Sequence, residues 1–200
     1  MAMMICVTGL PGSGKSTVAS ILKRKGFAIV EMGEIVREGM ADAGLDTRGS
    51  RIREYSMKMR RKHGGAVFAK HAVERAEKYL RRGRNAAIVG LRNTYEMELA
   101  RKSAGKGVGV FLVGVFAPKS LRFERLMNRG RGDDPAMRAK MEERDRQERN
   151  GYLAGSSGKS RGTDALLQSS DYLLFNTESK MQLYKDANLL ISKIRGAKAR

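Results

Sequence analysis

One cysteine, Cys6, and two histidines, His63 and His71, are all the thiol and imidazole groups that these 200 residues offer a metal. A single thiol excludes a disulfide framework, and so few ligands exclude a Cys-rich zinc site. Long apolar runs are missing too. No stretch approaches the roughly 18 residues that a membrane-spanning helix needs. The opening segment Met1-Ala2-Met3-Met4-Ile5-Cys6-Val7 is apolar, but glycines and Lys15 soon interrupt it, unlike a secretion signal. No internal repeat stands out. A cytoplasmic protein with no membrane partner is the expectation.

Acidic residues are scarce beside basic ones: 21 Asp and Glu face 40 Lys and Arg, leaving a formal charge of +19. Such an excess attracts polyanions, whether RNA, DNA or nucleotide phosphates, and does not choose among them. Hydrophobic residues make up 41%, too many for a disordered basic tail. A chain of this length buries roughly 70% of its unfolded surface, so residues 1–200 read as one domain without staples.

Short apolar runs alternate with helical patterns. Met3 to Thr8, Phe27 to Glu31, Ala86 to Val89, Val108 to Phe116 and Tyr172 to Phe175 predict strands. They are unbroken rather than alternating, as in a parallel sheet covered on both faces. Ala69, Ala72, Val73, Ala76, Tyr79 and Leu80 recur at helical spacing, as do Leu183, Tyr184, Ala187, Leu190, Ile191 and Ile194. Both stripes read as packing against a core. The alternation predicts an α/β fold with a parallel sheet. Residues 33–82 hold consecutive helical patterns without a strand, hence a helical insertion. Residues 129–150 are dense in both charges, and the Gly/Ser-rich stretch 151–163 reads as a loop.

The strongest motif is Gly9-Leu10-Pro11-Gly12-Ser13-Gly14-Lys15-Ser16-Thr17, which fits G-x-x-x-x-G-K-[ST] between the first strand and an amphipathic helix. Its four fixed positions arise by accident in roughly one 200-residue chain in a hundred, and the strand-to-helix context lowers that further. Glycines let backbone amides approach phosphate oxygens, and the helix beginning at Lys15 points its positive end at the same anion. Lys15 would bridge the β- and γ-phosphates and the Ser16 hydroxyl would ligate Mg²⁺. A nucleoside triphosphate, ATP, is the expected ligand.

Arg37 follows the second strand and Arg92 the third. Ligands of parallel sheets gather at the carboxyl ends of strands, so both arginines are candidates to clamp a second anion. Together with Gly33-Glu34-Ile35-Val36-Arg37, Gly90-Leu91-Arg92, Arg122-Phe123-Glu124-Arg125-Leu126, Arg129 to Pro135, Arg144-Asp145 and Ser170-Asp171-Tyr172 with Asn176, the loop resembles nucleoside monophosphate kinases of the adenylate kinase type. The nearest resemblance is to an archaeal group related to adenylate kinase and, more distantly, to dephospho-CoA kinase.

That resemblance implies a three-layer P-loop fold with a five-stranded sheet in the order 2-3-1-4-5, an acceptor-binding helical insert at 33–82 and a lid at 129–150. It implies that Gly33, Arg37 and Arg92 hold the acceptor's phosphate. Arg125, Arg129, Arg131 and Arg144 would approach the donor phosphates, with Asp133 and Asp134 holding the closed lid and Asn176 beside the donor base. The implied activity is Mg²⁺-dependent transfer of the γ-phosphate of ATP to a small phosphate-bearing acceptor such as AMP. One position departs from the pattern: Val89 stands where related kinases carry an Asp that holds water on Mg²⁺, and Glu31 and Glu34 are the substitutes nearest in sequence.

Two alternatives remain open. One is an ATP-regulated factor associated with RNA or the ribosome, suggested by the net charge and by the basic run Arg51 to His63, whose charge core packing does not explain. The other is an ATP-binding protein whose catalysis is reduced by Val89. The acceptor and the oligomeric state are not fixed by the sequence.

Overall fold

A computed structural model describes residues 2–47, 51–129, 138–150 and 161–197. Strand β1 (Met3–Thr8) leads through the glycine-rich loop into helix α1 (Lys15–Arg24). Strand β2 (Ala28–Glu31) is followed by three helices in succession, α2 (Met32–Asp42), α3 (Arg51–His63) and α4 (Val67–Leu80). Then come β3 (Ala86–Leu91), α5 (Thr94–Ser103), β4 (Gly109–Phe116), α6 (Lys119–Arg129) and α7 (Arg138–Asn150). The described chain closes with α8 (Thr163–Gln168), β5 (Tyr172–Phe175) and α9 (Lys180–Ala197).

The five strands form one parallel sheet in the order β2-β3-β1-β4-β5, as the resemblance implied. Side chains of a strand point alternately to opposite faces. Met3, Ile5 and Val7 therefore pack among α1 and α9, with Val18, Ile21, Leu183 and Ile191. Met4 and Cys6 face the other layer, with Val36, Ala72, Met97 and Leu166 from α2, α4, α5 and α8. Both faces are covered, which is why the strand sequences are continuously apolar. Burial pushes the Cys6 thiol up to about 12, outweighing the lowering effect of Arg101, so it behaves as a small core residue.

The strand boundaries differ from the sequence reading by at most two residues. β3 runs on to Leu91 because Val7 pairs with Val89 while Thr8 pairs with Leu91, leaving Gly90 as an extra residue at φ 98°. Such a bulge bends a strand. It carries the chain out of the sheet at Arg92. Helix α8 has no counterpart among the sequence expectations. It is one and a half turns long, too short for a periodic signal.

Two arginines lie in the interior. Arg122 is 1% exposed and grips Asp145 with both terminal guanidinium nitrogens, Nη2 at 2.9 Å from Oδ2, while its Nε donates to the Ala117 carbonyl. Arg60 is 2% exposed and donates to Glu96 at 2.9 Å and to Ser56. Arg60 therefore corrects the reading of the run Arg51 to His63. Part of that charge is core packing, paired across the fold with an acid 36 residues away. Asp145→Ala should cost about 3–5 kcal/mol in chemical denaturation, because it leaves the Arg122 charge buried without its acid partner. A loss below 1 kcal/mol would show that the pair does not anchor α7.

Candidate functional site

The loop between β1 and α1 is shaped by positions where only glycine fits. Gly14 precedes α1 at φ 106°, and a Cβ there would lie 2.3 Å from Nδ2 of Asn176. At Gly12 (φ 78°) a Cβ would lie 2.5 Å from the Arg122 carbonyl oxygen. No side chain caps the N-terminus of α1 and no acid stands in its first turn. Its amides and the positive end of its dipole are therefore directed to a ligand anion.

Lys15 curls back onto this loop, its Nζ donating to the carbonyls of Gly9 (2.6 Å) and Leu10 (3.0 Å). Burial of the ammonium pushes its pKa down to about 7. The Glu148 carboxylate resists that fall, while the charges of Arg92, Arg144 and Arg129 add to it. Ser13 Oγ and Arg125 Nη1 are buried without a hydrogen-bond partner. Two unsatisfied polar groups beside a Gly-rich helix N-terminus fit a phosphate chain.

A cleft of about 510 Å³ opens over the carboxyl ends of the strands. It is lined by Gly9, Gly12, Gly14, Lys15, Ser16 and Thr17 from the loop and α1, by Gly33 and Arg37 from α2, and by Arg92 beyond β3. Arg125 and Arg129 enter from α6, Arg144 from α7 and Asn176 from the end of β5. Ser13 is buried within the loop itself. Arg131, Asp133 and Asp134 lie outside the described residues. Of the two candidate acids, Glu31 lines the cleft, whereas Glu34 is exposed and is not among the lining residues. Glu31 is also the strand partner of Val89, so the two share one face of the sheet, that of α1.

Asn176 ties three elements together. Its Nδ2 donates to the Ser13 carbonyl (2.8 Å), its backbone N–H to the Phe116 carbonyl (2.7 Å), and Arg125 Nη2 donates to both its oxygens at 3.2 and 3.3 Å. Arg92 is positioned by Glu96, whose Oε2 accepts from the Arg92 amide at 2.6 Å while Asn93 caps the same helix by accepting from the Glu96 amide. The Arg92 guanidinium reaches Glu148 at 2.8 Å, and Arg144 Nε donates to the same oxygen at 3.1 Å.

Glu148 and Glu96 are the cleft-shaping residues that sequence reasoning missed. The spacing Arg144-x-x-x-Glu148 puts both on one helix face, but in a stretch dense in both charges nothing singles that pair out. Asn93-x-x-Glu96 was a legible capping signature. Glu148 is 2% exposed. Burial raises its pKa, yet the charges of Arg92, Arg144 and Lys15 prevail and hold it down at about 2.

Sheet order, loop and helix N-terminus together define a class: P-loop, kinase-like α/β proteins with a nucleotide site at the carboxyl ends of the strands. A family model described as an AAA domain matches residues 5–150. A UPF0200 protein of Thermococcus onnurineus (strain NA1) is 34% identical over 192 residues, covering 96% of this chain and 98% of that protein. Another, from Aeropyrum pernix, is 35% identical over 186 residues, 92% of this chain and 90% of that one. The chain belongs to the UPF0200 family and carries this AAA domain.

Among solved structures, TT1252 from Thermus thermophilus superposes with a TM-score of 0.61 at 18% identity, over 96% of this chain and 97% of that one. APS kinase CysC of Mycobacterium tuberculosis, in complex with AMPPNP and APS, gives 0.56 at 20% identity, over 97% and 98%. At these identities the likeness concerns the fold. Among the described residues, no helix is long and apolar enough to cross a membrane.

The depressed pKa of Lys15 has a measurable consequence. Above pH 7 the empty protein carries this lysine largely neutral, and a bound phosphate favours the charged form. Binding of ATP at pH 8, where its phosphates are already ionised, should therefore take up protons. Affinity should weaken as pH rises above 7. Calorimetry in buffers of different ionisation enthalpy reads the uptake directly; proton release, or no buffer dependence, would contradict this assignment.

Proposed function

We propose that this protein binds ATP with Mg²⁺ and transfers the γ-phosphate to a small phosphate-bearing acceptor, a nucleoside monophosphate foremost, as adenylate-kinase-like enzymes do. The observation that carries the reading is that one cleft is lined both by the phosphate loop and by Arg37, Arg92, Arg125, Arg129 and Arg144. A plain nucleotide switch needs no second anion site, and Arg37 and Arg92 across the cleft supply one. In this reading residues 33–82 form the acceptor-binding insert and 129–150 the lid of a single domain.

Phosphoryl transfer asks little covalent chemistry of a protein and much positioning and positive charge. The loop amides and Lys15 hold the donor phosphates. Gly33, Arg37 and Arg92 orient the acceptor's phosphate, and Arg125, Arg129, Arg131 and Arg144 surround the migrating group and exclude water. Asp133 and Asp134 hold the closed lid, and Asn176 fixes the wall beside the donor base. Ser16 and Glu31 supply a hydroxyl and a carboxylate suited to a hard cation. Among the described residues no group of three or more His, Cys, Asp or Glu could cage a metal, consistent with an ion held largely by nucleotide oxygens. Mg²⁺, when bound, neutralises charge on the β- and γ-phosphates. Glu31, the strand partner of Val89, would supply the carboxylate that related kinases carry at the Val89 position.

The decisive experiment mixes pure protein, ATP, Mg²⁺ and a panel of nucleoside monophosphates with dephospho-CoA, and measures acceptor-dependent ADP. Turnover with at least one acceptor is expected. Glu31→Gln should lower it about 10²–10³-fold, equivalent to about 3–4 kcal/mol of barrier. ATP binding without turnover on any acceptor would leave an ATP holder with reduced catalysis, and a rate gain in Val89→Asp would then assign the cause. A second reading, ATP-regulated RNA binding, is favoured by the exposed basic residues Arg51, Lys58, Arg61 and Lys62 on α3. RNA affinity that hardly changed with salt would remove it.

A further inference from the structure

Three cationic side chains converge on the middle of the cleft, and a single acid from α7 meets them. Glu148 accepts from Arg92 at 2.8 Å and from Arg144 at 3.1 Å, and its charge acts on Lys15 as well. It is 2% exposed and lines the same cleft as the phosphate loop. The arginines it joins come from distant parts of the chain, Arg92 from the turn after β3 and Arg144 from α7.

We propose that Glu148 is a built-in stand-in for the acceptor's anionic group: before a ligand binds it holds Arg92, which orients that group, against Arg144, which faces the migrating phosphate, and it must be displaced from Arg92 when the acceptor binds. Like charges brought together in a desolvated site need a counter-anion. The protein supplies its own, which keeps the clamp assembled without a ligand. The substitute also sets a threshold for what binds. An incoming group must serve both guanidinium groups and must outcompete an ionised carboxylate. A phosphate monoester, with up to two negative charges, meets both demands. A neutral hydroxyl meets neither, and a lone carboxylate offers no more charge than Glu148 does. Glu148 thus selects phosphate monoesters as acceptors. It is not a proton acceptor for the reaction, because the two guanidinium groups that bind it favour the ionised form.

This inference rests on the proposed function for the identity of the second anion, but its test does not require turnover. Binding of inorganic phosphate, AMP and adenosine is measured by calorimetry for the wild type and for Glu148→Gln, which keeps the shape and removes the charge. Affinity for phosphate and AMP should rise about tenfold or more in the variant, with adenosine unchanged. Unchanged or weaker phosphate binding by a folded variant would make Glu148 a structural strut and overturn the proposal. Should the variant fail to fold, hydrogen exchange on the wild type decides. Amides of residues 144–150 should exchange faster as inorganic phosphate is added, and unchanged or slower exchange would overturn the proposal. Tighter phosphate binding by Glu148→Gln in a protein without acceptor-dependent ADP formation would uphold the stand-in and reject the transferase; the reverse pairing would reject the stand-in alone.

Discussion

Positive charge gathered at one end of a parallel sheet must be held in place before any ligand arrives. Five arginines and two lysines from six separate parts of the chain line one cleft, and in a partly desolvated space their mutual repulsion would spread them apart. Buried acids prevent this. Glu96 fixes the backbone of Arg92, Glu148 joins Arg92 to Arg144, and Asp145 locks α7 to α6 through Arg122. Such pairs add little net stability over an apolar core of the same shape. Their value here is positional: each acid decides where a cation stands.

The same constraint explains why the sheet is built as it is. Continuous apolar strands, covered on both faces, leave the backbone rigid, and the rigid frame ends abruptly where chemistry begins. At β1 the end is a loop of glycines packed against Arg122 and Asn176 so closely that no Cβ fits. At β3 it is the Gly90 bulge, which turns Arg92 out of the sheet. At β2 it is Glu31, beside Val89 in register and on the α1 face. Three neighbouring strand ends thus deliver an anion cradle, a guanidinium and a carboxylate to one place.

Charge is spread over two different uses. Arg60 and Arg122 belong to the interior and are paired there, while Arg51, Lys58, Arg61 and Lys62 remain exposed on α3. The interior pairs cancel and leave the net charge of +19 untouched, but part of that excess lines the cleft and so is not all available to a polyanionic partner.

The sequence by itself determined the local and the periodic. Strand runs, helical stripes and the phosphate loop were legible because hydrophobic period and glycine placement act over a few residues, and the sheet order followed from resemblance rather than from any residue pattern. Pairing between distant segments was not legible. Nothing in Arg60 told it from Arg61, yet one is sealed against Glu96 and the other is exposed, because α3 presents only one side to α4 and α5. Glu148 is one acid among many charges in 129–150, and only the fold brings Arg92 to it across 56 residues. Only the tertiary structure decides such cases, because the energy of a charge depends on what surrounds it, and its surroundings come from other parts of the chain.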